Sequence, residues 1–277
     1  MKDTEFVYAS AYTRTLENRM LQRADFEALL AAPSEREALR YLAGKNYQVE
    51  GELVRAWDEV RYTCPEGAPL HVLLYQNDFH NLKTILKAVF GDTAYESLML
   101  EPCTVPPEEI HRAITQGKPE SLPEPFKGPA METYQILARD GDGQLAEIAL
   151  DKALFTAMAE IAKQSKNDFL IGWVDLNIAL INTKTALRAG PQSAMLDGKQ
   201  PLPDAPKESI TALELWCDNQ RMTYLRQARQ KLFGFEPVFG FLVGKQFELQ
   251  AVRMILAGLR LGIPAGALRE RLRDSYA

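Results

Sequence analysis

Two stretches of this chain spell nearly the same helix. Asn81-Leu-Lys-Thr-Ile-Leu-Lys-Ala88 and Asn182-Thr-Lys-Thr-Ala-Leu-Arg-Ala189 differ at three of eight positions, one of them Lys for Arg. A fainter third copy, Ala251-Val-Arg-Met-Ile-Leu-Ala257, keeps the basic residue, the Ile-Leu pair and the apolar spacing. The copies lie at offsets of 101 and then 69 residues. A helix with one apolar stripe needs a neighbour to bury it, so a repeated helix implies related units packed side by side. Proline clusters at 101–109 and 199–208 separate the copies, and proline lacks the amide hydrogen that a helix interior needs. They divide the chain into units 1–101, 102–198 and 199–277. A third cluster, 118–129, reads as a loop within the second unit.

The repeated helix carries an anomaly. Leu74, Asn77, Asp78, Asn81 and Ile85 fall at i, i+3, i+4, i+7 and i+11, so three polar residues interrupt one otherwise apolar stripe. Glu248 stands where Asp78 does in the third copy. In the second copy Asn182 repeats Asn81, and Asp175 lies one turn earlier on the stripe. A carboxylate on such a stripe is costly to bury unless it is paired or hydrogen-bonded. Lys83 and Lys87, matched by Lys184 and Arg188, sit on the flank and can reach carboxylates of a neighbouring unit. Asp78, Asn81, Lys83, Asp175, Asn182, Lys184, Glu248 and Arg253 are therefore expected between units or along a cavity. If Asp78 meets a cation, with Lys184 and Arg253 as candidates, Asp78→Asn is the costly change. Asp78→Leu is near neutral if the acid is merely one half of a buried pair.

Helical periodicity runs through the rest. Asp25 can cap FEALLAA, and Ser34-x-x-Glu37 has the form of a capping box with Gly44 placed to stop the helix. Residues 70–90 read as one long helix, and in FGFEPVFGFLVG Gly234 and Pro237 read as a turn. No pair of alternating β-branched runs is joined by a turn signal, so the expected class is all-α.

The charge of -5 argues against nucleic acid and leaves open an acidic surface that docks on a basic one. Cys64, Cys103 and Cys217 are far apart and read as free thiols in a reducing compartment. The opening residues have no apolar run of a signal peptide, and no apolar run approaches the ~20 residues of a membrane span. There is no GxSxG, Walker A or GxGxxG motif, and the three histidines form no ligand cluster, so no catalytic residue, cofactor or metal site is expected. DGDG at 140–143 is a tight turn without the other EF-hand ligands. One alternative is a stand-alone metal-dependent hydrolase built on Asp78 and His80, although side chains at i and i+2 diverge on a helix. Another is an unrelated helical scaffold.

The same helices carry a family resemblance. FVYASAYTRTLENRMLQRADFEALLAA, DFHNLKTILKA, DLNIALINTKTALRA and GFEPVFGFLVGKQFELQAVRMILAG followed by LRERLRDSY resemble, in order, the C-type subunit of bacterial and archaeal V-type rotary ATPases, whose eukaryotic equivalent is the d-type subunit. The resemblance implies three similar helical bundles in a pseudo-threefold funnel with a central cavity. It implies a non-catalytic rotor component on the cytoplasmic side of the membrane, coupling ATP hydrolysis or synthesis to ion transport. The implied partners are the D and F subunits of the shaft, the proteolipid ring and the a/I-type subunit.

Overall fold

The computed structural model describes residues 2–188 and 194–276, so Ala189, the last residue of the second repeat, lies outside the described residues. Among the described residues there are twelve α-helices and no strand. In chain order they are α1 (Val7–Glu17), α2 (Arg23–Leu30), α3 (Glu35–Gly44), α4 (Glu52–Arg61), α5 (Tyr75–Gly91) and α6 (Pro107–Thr115). They continue with α7 (Lys127–Asp140), α8 (Gly143–Ser165), α9 (Asp168–Leu187), α10 (Ile210–Leu225), α11 (Phe235–Arg260) and α12 (Ala265–Glu270). The chain forms two compact bodies: a terminal body of Met1–Ala68 with Asp204–Ala277, and a middle body of Pro69–Pro203.

Local signals set most helix ends. The Ser34 side chain accepts the Glu37 N–H (3.3 Å) at the start of α3. Asp25 is not the N-cap of α2; it sits in the first turn and accepts the N–H of the N-cap residue Gln22 (2.8 Å), the reciprocal half of a capping box. The long helix expected over 70–90 is split, with a 3₁₀ turn at Pro69–Leu73 before α5 begins at Tyr75. Pro237 lies inside the first turn of α11 instead of in a turn before it. The first-turn amides of a helix have no partner within it, so proline costs little there. The turn falls to Gly234, whose φ of 135° favours glycine.

In the middle body α5 packs against α6, α7 and α8. Phe79, Leu82, Ile85 and Leu86 of α5 meet Ile110 and Ile114 of α6, with Phe126 and Leu150 closing the core. In the terminal body α11 packs against α1, α3, α4 and α10. Every residue from Phe235 to Lys245 is buried, so this half of α11 has no solvent face. Its second half shares a core with Phe26, Leu29 and Leu30 of α2 and Ala38 and Leu42 of α3.

Residues 273–276 are bound back onto the terminal body. Tyr276 lies on Gly240 and Gly244 of α11, its hydroxyl donates to Glu17 (3.1 Å), and its carbonyl accepts from Arg229 (2.9 Å). The two glycines stand one turn apart and leave the groove that the ring fills. A Cβ on Gly244 would lie 2.6 Å from Cγ of Tyr276. Gly244→Ala is expected to cost about 1–3 kcal/mol in urea unfolding through overpacking. Gly266→Ala in α12 meets nothing within 4 Å and should be neutral or gain up to about 1 kcal/mol.

Candidate functional site

The polar stripe of α5 holds a strap, residues 98–105, that leaves a 3₁₀ turn (Glu96–Leu98) in extended conformation and runs back along the helix. An extended segment with no strand beside it must find partners for its amides and carbonyls elsewhere. Asn81 supplies two: the Leu100 N–H donates to its Oδ1 (2.8 Å), and its Nδ2 donates to the Leu100 carbonyl (3.0 Å). Asn77 Nδ2 donates to the Pro102 carbonyl (2.8 Å), and His80 Nε2 lies 3.1 Å from the Leu98 carbonyl. Asp78, fully buried, accepts the N–H groups of Thr104 (2.8 Å) and Val105 (3.0 Å) on Oδ1 and the Thr104 hydroxyl (2.9 Å) on Oδ2. Burial pushes the Asp78 carboxyl up, these three donors pull it back, and it stays above the ordinary aspartate value. The donors are neutral, and among the described residues no basic side chain bonds to the acid.

Asn182 of α9 repeats the bonding of Asn81. The Leu196 N–H donates to its Oδ1 (2.7 Å), and its Nδ2 donates to the Leu196 carbonyl (2.8 Å) and to the Lys199 carbonyl (2.6 Å). Thr183 accepts the Leu202 N–H (2.8 Å). Residues 196–202 are thus a second strap, and Asp175 reaches it through an ion pair with Lys199 (3.0 Å).

Glu248 of α11 holds a third strap, in the terminal body. Its Oε2 accepts the Leu21 N–H at 2.6 Å. Leu21 directly precedes Gln22, the N-cap residue of α2; Val105 directly precedes Pro106, the N-cap residue of α6. Glu248 and Asp78 thus bond to the same position, the residue before the N-cap of the short helix packed beneath.

Around Glu248 the structure adds two groups that periodicity did not single out. Lys245, buried, bonds to Glu248 (2.7 Å) and to Glu52 (2.8 Å), and both acids are buried as well. Glu52 also bonds to the half-exposed Arg55 (2.7 Å). Burial pushes the Glu248 carboxyl up, Lys245 and the Leu21 amide pull it back, and it remains above the ordinary glutamate value. The signal was present: Lys245 ends the apolar run VFGFLVG and has an acid three residues on. Beside this triad lies a cleft of about 520 Å³ lined by Gln22, Asp25, Lys45, Glu52, Arg55 and Lys245 among others. Its charges are largely paired within its own wall, Asp25 with Lys45 (2.8 Å) and Glu52 with Arg55 and Lys245.

The remaining expected residues lie outside these grips. Lys83 pairs with Asp151 (2.6 Å) and Lys87 with Glu147, both acids on α8, beyond the boundary placed at 101. Lys184 is partly buried and Arg253 exposed. Asp78 and His80 reach different strap residues, and among the described residues no three His, Cys, Asp or Glu are grouped to hold a metal ion. Cys64, Cys103 and Cys217 are not joined in disulfides.

Side chains that bind the chain's own backbone make a scaffold: an all-helical protein whose buried polar groups fasten extended segments to long helices. The model of the ATP synthase (C/AC39) subunit family matches residues 9–202 and 193–271, and the chain belongs to that family. It is a non-catalytic, central-stalk component of a V-type ATPase, a membrane-associated complex. No curated protein matches the chain. No described helix is long and apolar enough to cross a membrane.

Proposed function

We propose that the chain is the socket of the rotor: three helix-and-strap units set about a pseudo-threefold axis, forming a funnel that receives the D–F shaft and rests on the proteolipid ring. The observation that carries this reading is the repeated grip. Asn81 and Asn182 each hold a leucine by its amide and its carbonyl, and Asp78 and Glu248 each hold the residue before an N-cap. The helices of the units are those of 1–101, 102–198 and 199–277. The third unit takes its strap, residues 18–22, from the start of the chain, which makes it discontinuous.

A coupler that passes torque must resist bending. Straps pinned by side-chain hydrogen bonds over close-packed helices suit that task, because close-packed interiors deform little. The a/I-type subunit is the stationary neighbour in this arrangement. The test is binding: the purified chain mixed with a D–F shaft should elute from size exclusion as a one-to-one complex. Free elution of both at micromolar concentrations would overturn the socket.

A further inference from the structure

The outer side of the first strap is apolar, and its setting is acidic. Leu98 is 55% exposed and Leu100 37% exposed, and Phe90 at the end of α5 is 39% exposed. Strap slackness does not explain this. Asn81 holds the Leu100 amide and carbonyl, and the Leu98 carbonyl lies against His80, so the backbone register that exposes both leucines is fixed. From Ala88 to His111 the chain carries five acids and no lysine or arginine. Asp92, Glu96, Glu101, Glu108 and Glu109 are all exposed, and none forms an ion pair among the described residues. In the same body Asp151, Glu147 and Asp175 each have a lysine.

Three of these acids, Glu96, Glu101 and Glu108, act on shared neighbours. Tyr95 stacks on His111 with ring centroids 4.9 Å apart, which fastens the segment before the strap to α6. Glu108 lies near enough to both Tyr95 and Cys103 to act on each, together with Glu96 at the first and Glu101 at the second. Burial, then Asp78, Glu101 and Glu108, push the Cys103 thiol up to about 11. Exposed apolar side chains rimmed by polar ones mark association surfaces, and a single-sign rim selects a partner of the opposite sign.

We infer that the outer face of residues 90–109 docks a basic amphipathic segment of another protein of the rotary assembly, its apolar side chains on Leu98 and Leu100 and its lysines or arginines on the surrounding carboxylates. The inference rests on the proposed function, since the partner is sought within that assembly. Nucleic acid and anionic lipid are repelled by the same rim.

The test uses the full chain and a rotary assembly stripped of it. Wild-type chain should rebind, with affinity falling as salt rises from about 50 to 300 mM, where the screening length shortens. Leu98→Ser with Leu100→Ser should weaken rebinding about ten-fold or more. Glu101→Gln with Glu108→Gln and Glu109→Gln should slow association and flatten the salt dependence. Neutralising the exposed Glu50, Glu66 and Glu120 should change neither. All these sites are exposed, and unchanged unfolding curves would confirm intact folds. Variants that rebind like wild type would overturn the inference alone. Wild-type chain that fails to rebind would overturn the socket and the inference together. Concentration-dependent self-association lost in the same variants would make the occupant a second copy and would also overturn it.

Discussion

Lys245→Met should cost the terminal body about 3–5 kcal/mol of stability at pH 7, because the change keeps the volume of the side chain and leaves a buried acid without its cation. Among the described residues Glu248 forms one ion pair, with Lys245, and accepts the Leu21 N–H, whereas Glu52 keeps Arg55. Most of the loss therefore falls on Glu248. Lys245→Met with Glu248→Gln should recover most of it, since a glutamine oxygen can still accept the Leu21 N–H without carrying charge. Urea unfolding followed by a variant that retains only Trp57, which lies in α4 of this body, provides the measurement. A loss under about 1 kcal/mol, or no recovery in the double variant, would show that the triad does not close this body.

The pH dependence has a definite sign. The folded-state pKa of Glu248 is raised above its ordinary value, so its own contribution favours folding at low pH and is lost as pH rises through the folded pKa. Without Lys245 the isolated carboxylate rises further. The penalty of Lys245→Met should then shrink as pH is lowered and the carboxylate takes up a proton. A penalty constant from pH 7 down to pH 5 would mean that the loss comes from packing alone.

Periodicity made the helical class and the polar stripe legible, because helix faces are written at intervals of three and four residues. Asn81 and Asn182 stood out as a repeated pair, and both hold straps. The partners did not stand out. Asp78 and Glu248 bond to backbone amides, and an amide has no residue-type signature, so the sequence invites a search for a basic residue instead. The pairing of Glu248 with Leu21 joins residues 227 apart, a contact that local pattern cannot show. Lys245 at the end of an apolar run, with Glu248 three residues on, was a legible signal that periodicity passed over, and Glu52 was hidden by its ordinary place at a helix start. Tyr276 gave no sign in its own segment; the trace was the Gly240–Gly244 pair, which reads as a groove only once something fills it.

Asp78 inverts the mutational order that a salt-bridged acid would show. Both strap amides use its Oδ1, and only the Thr104 hydroxyl uses Oδ2. Asparagine can keep Oδ1 in place for both amides, and a hydroxyl can turn to accept from the new Nδ2. Asp78→Asn is therefore expected to lie within about 1 kcal/mol of wild type, with relief from burying a charge offsetting the weaker bonds. Asp78→Leu strands the buried Val105 amide and the partly buried Thr104 amide and should cost about 2–4 kcal/mol. The folded pKa of Asp78 is raised, so the wild-type protein gains stability from this group as pH falls through that value, and the asparagine variant lacks the gain. The difference between wild type and Asp78→Asn should consequently move in favour of wild type on acidification. Unfolding curves for both variants between pH 7 and pH 4 decide the matter. A costly asparagine with a harmless leucine would mean that a cation, and not the strap, is what the acid holds.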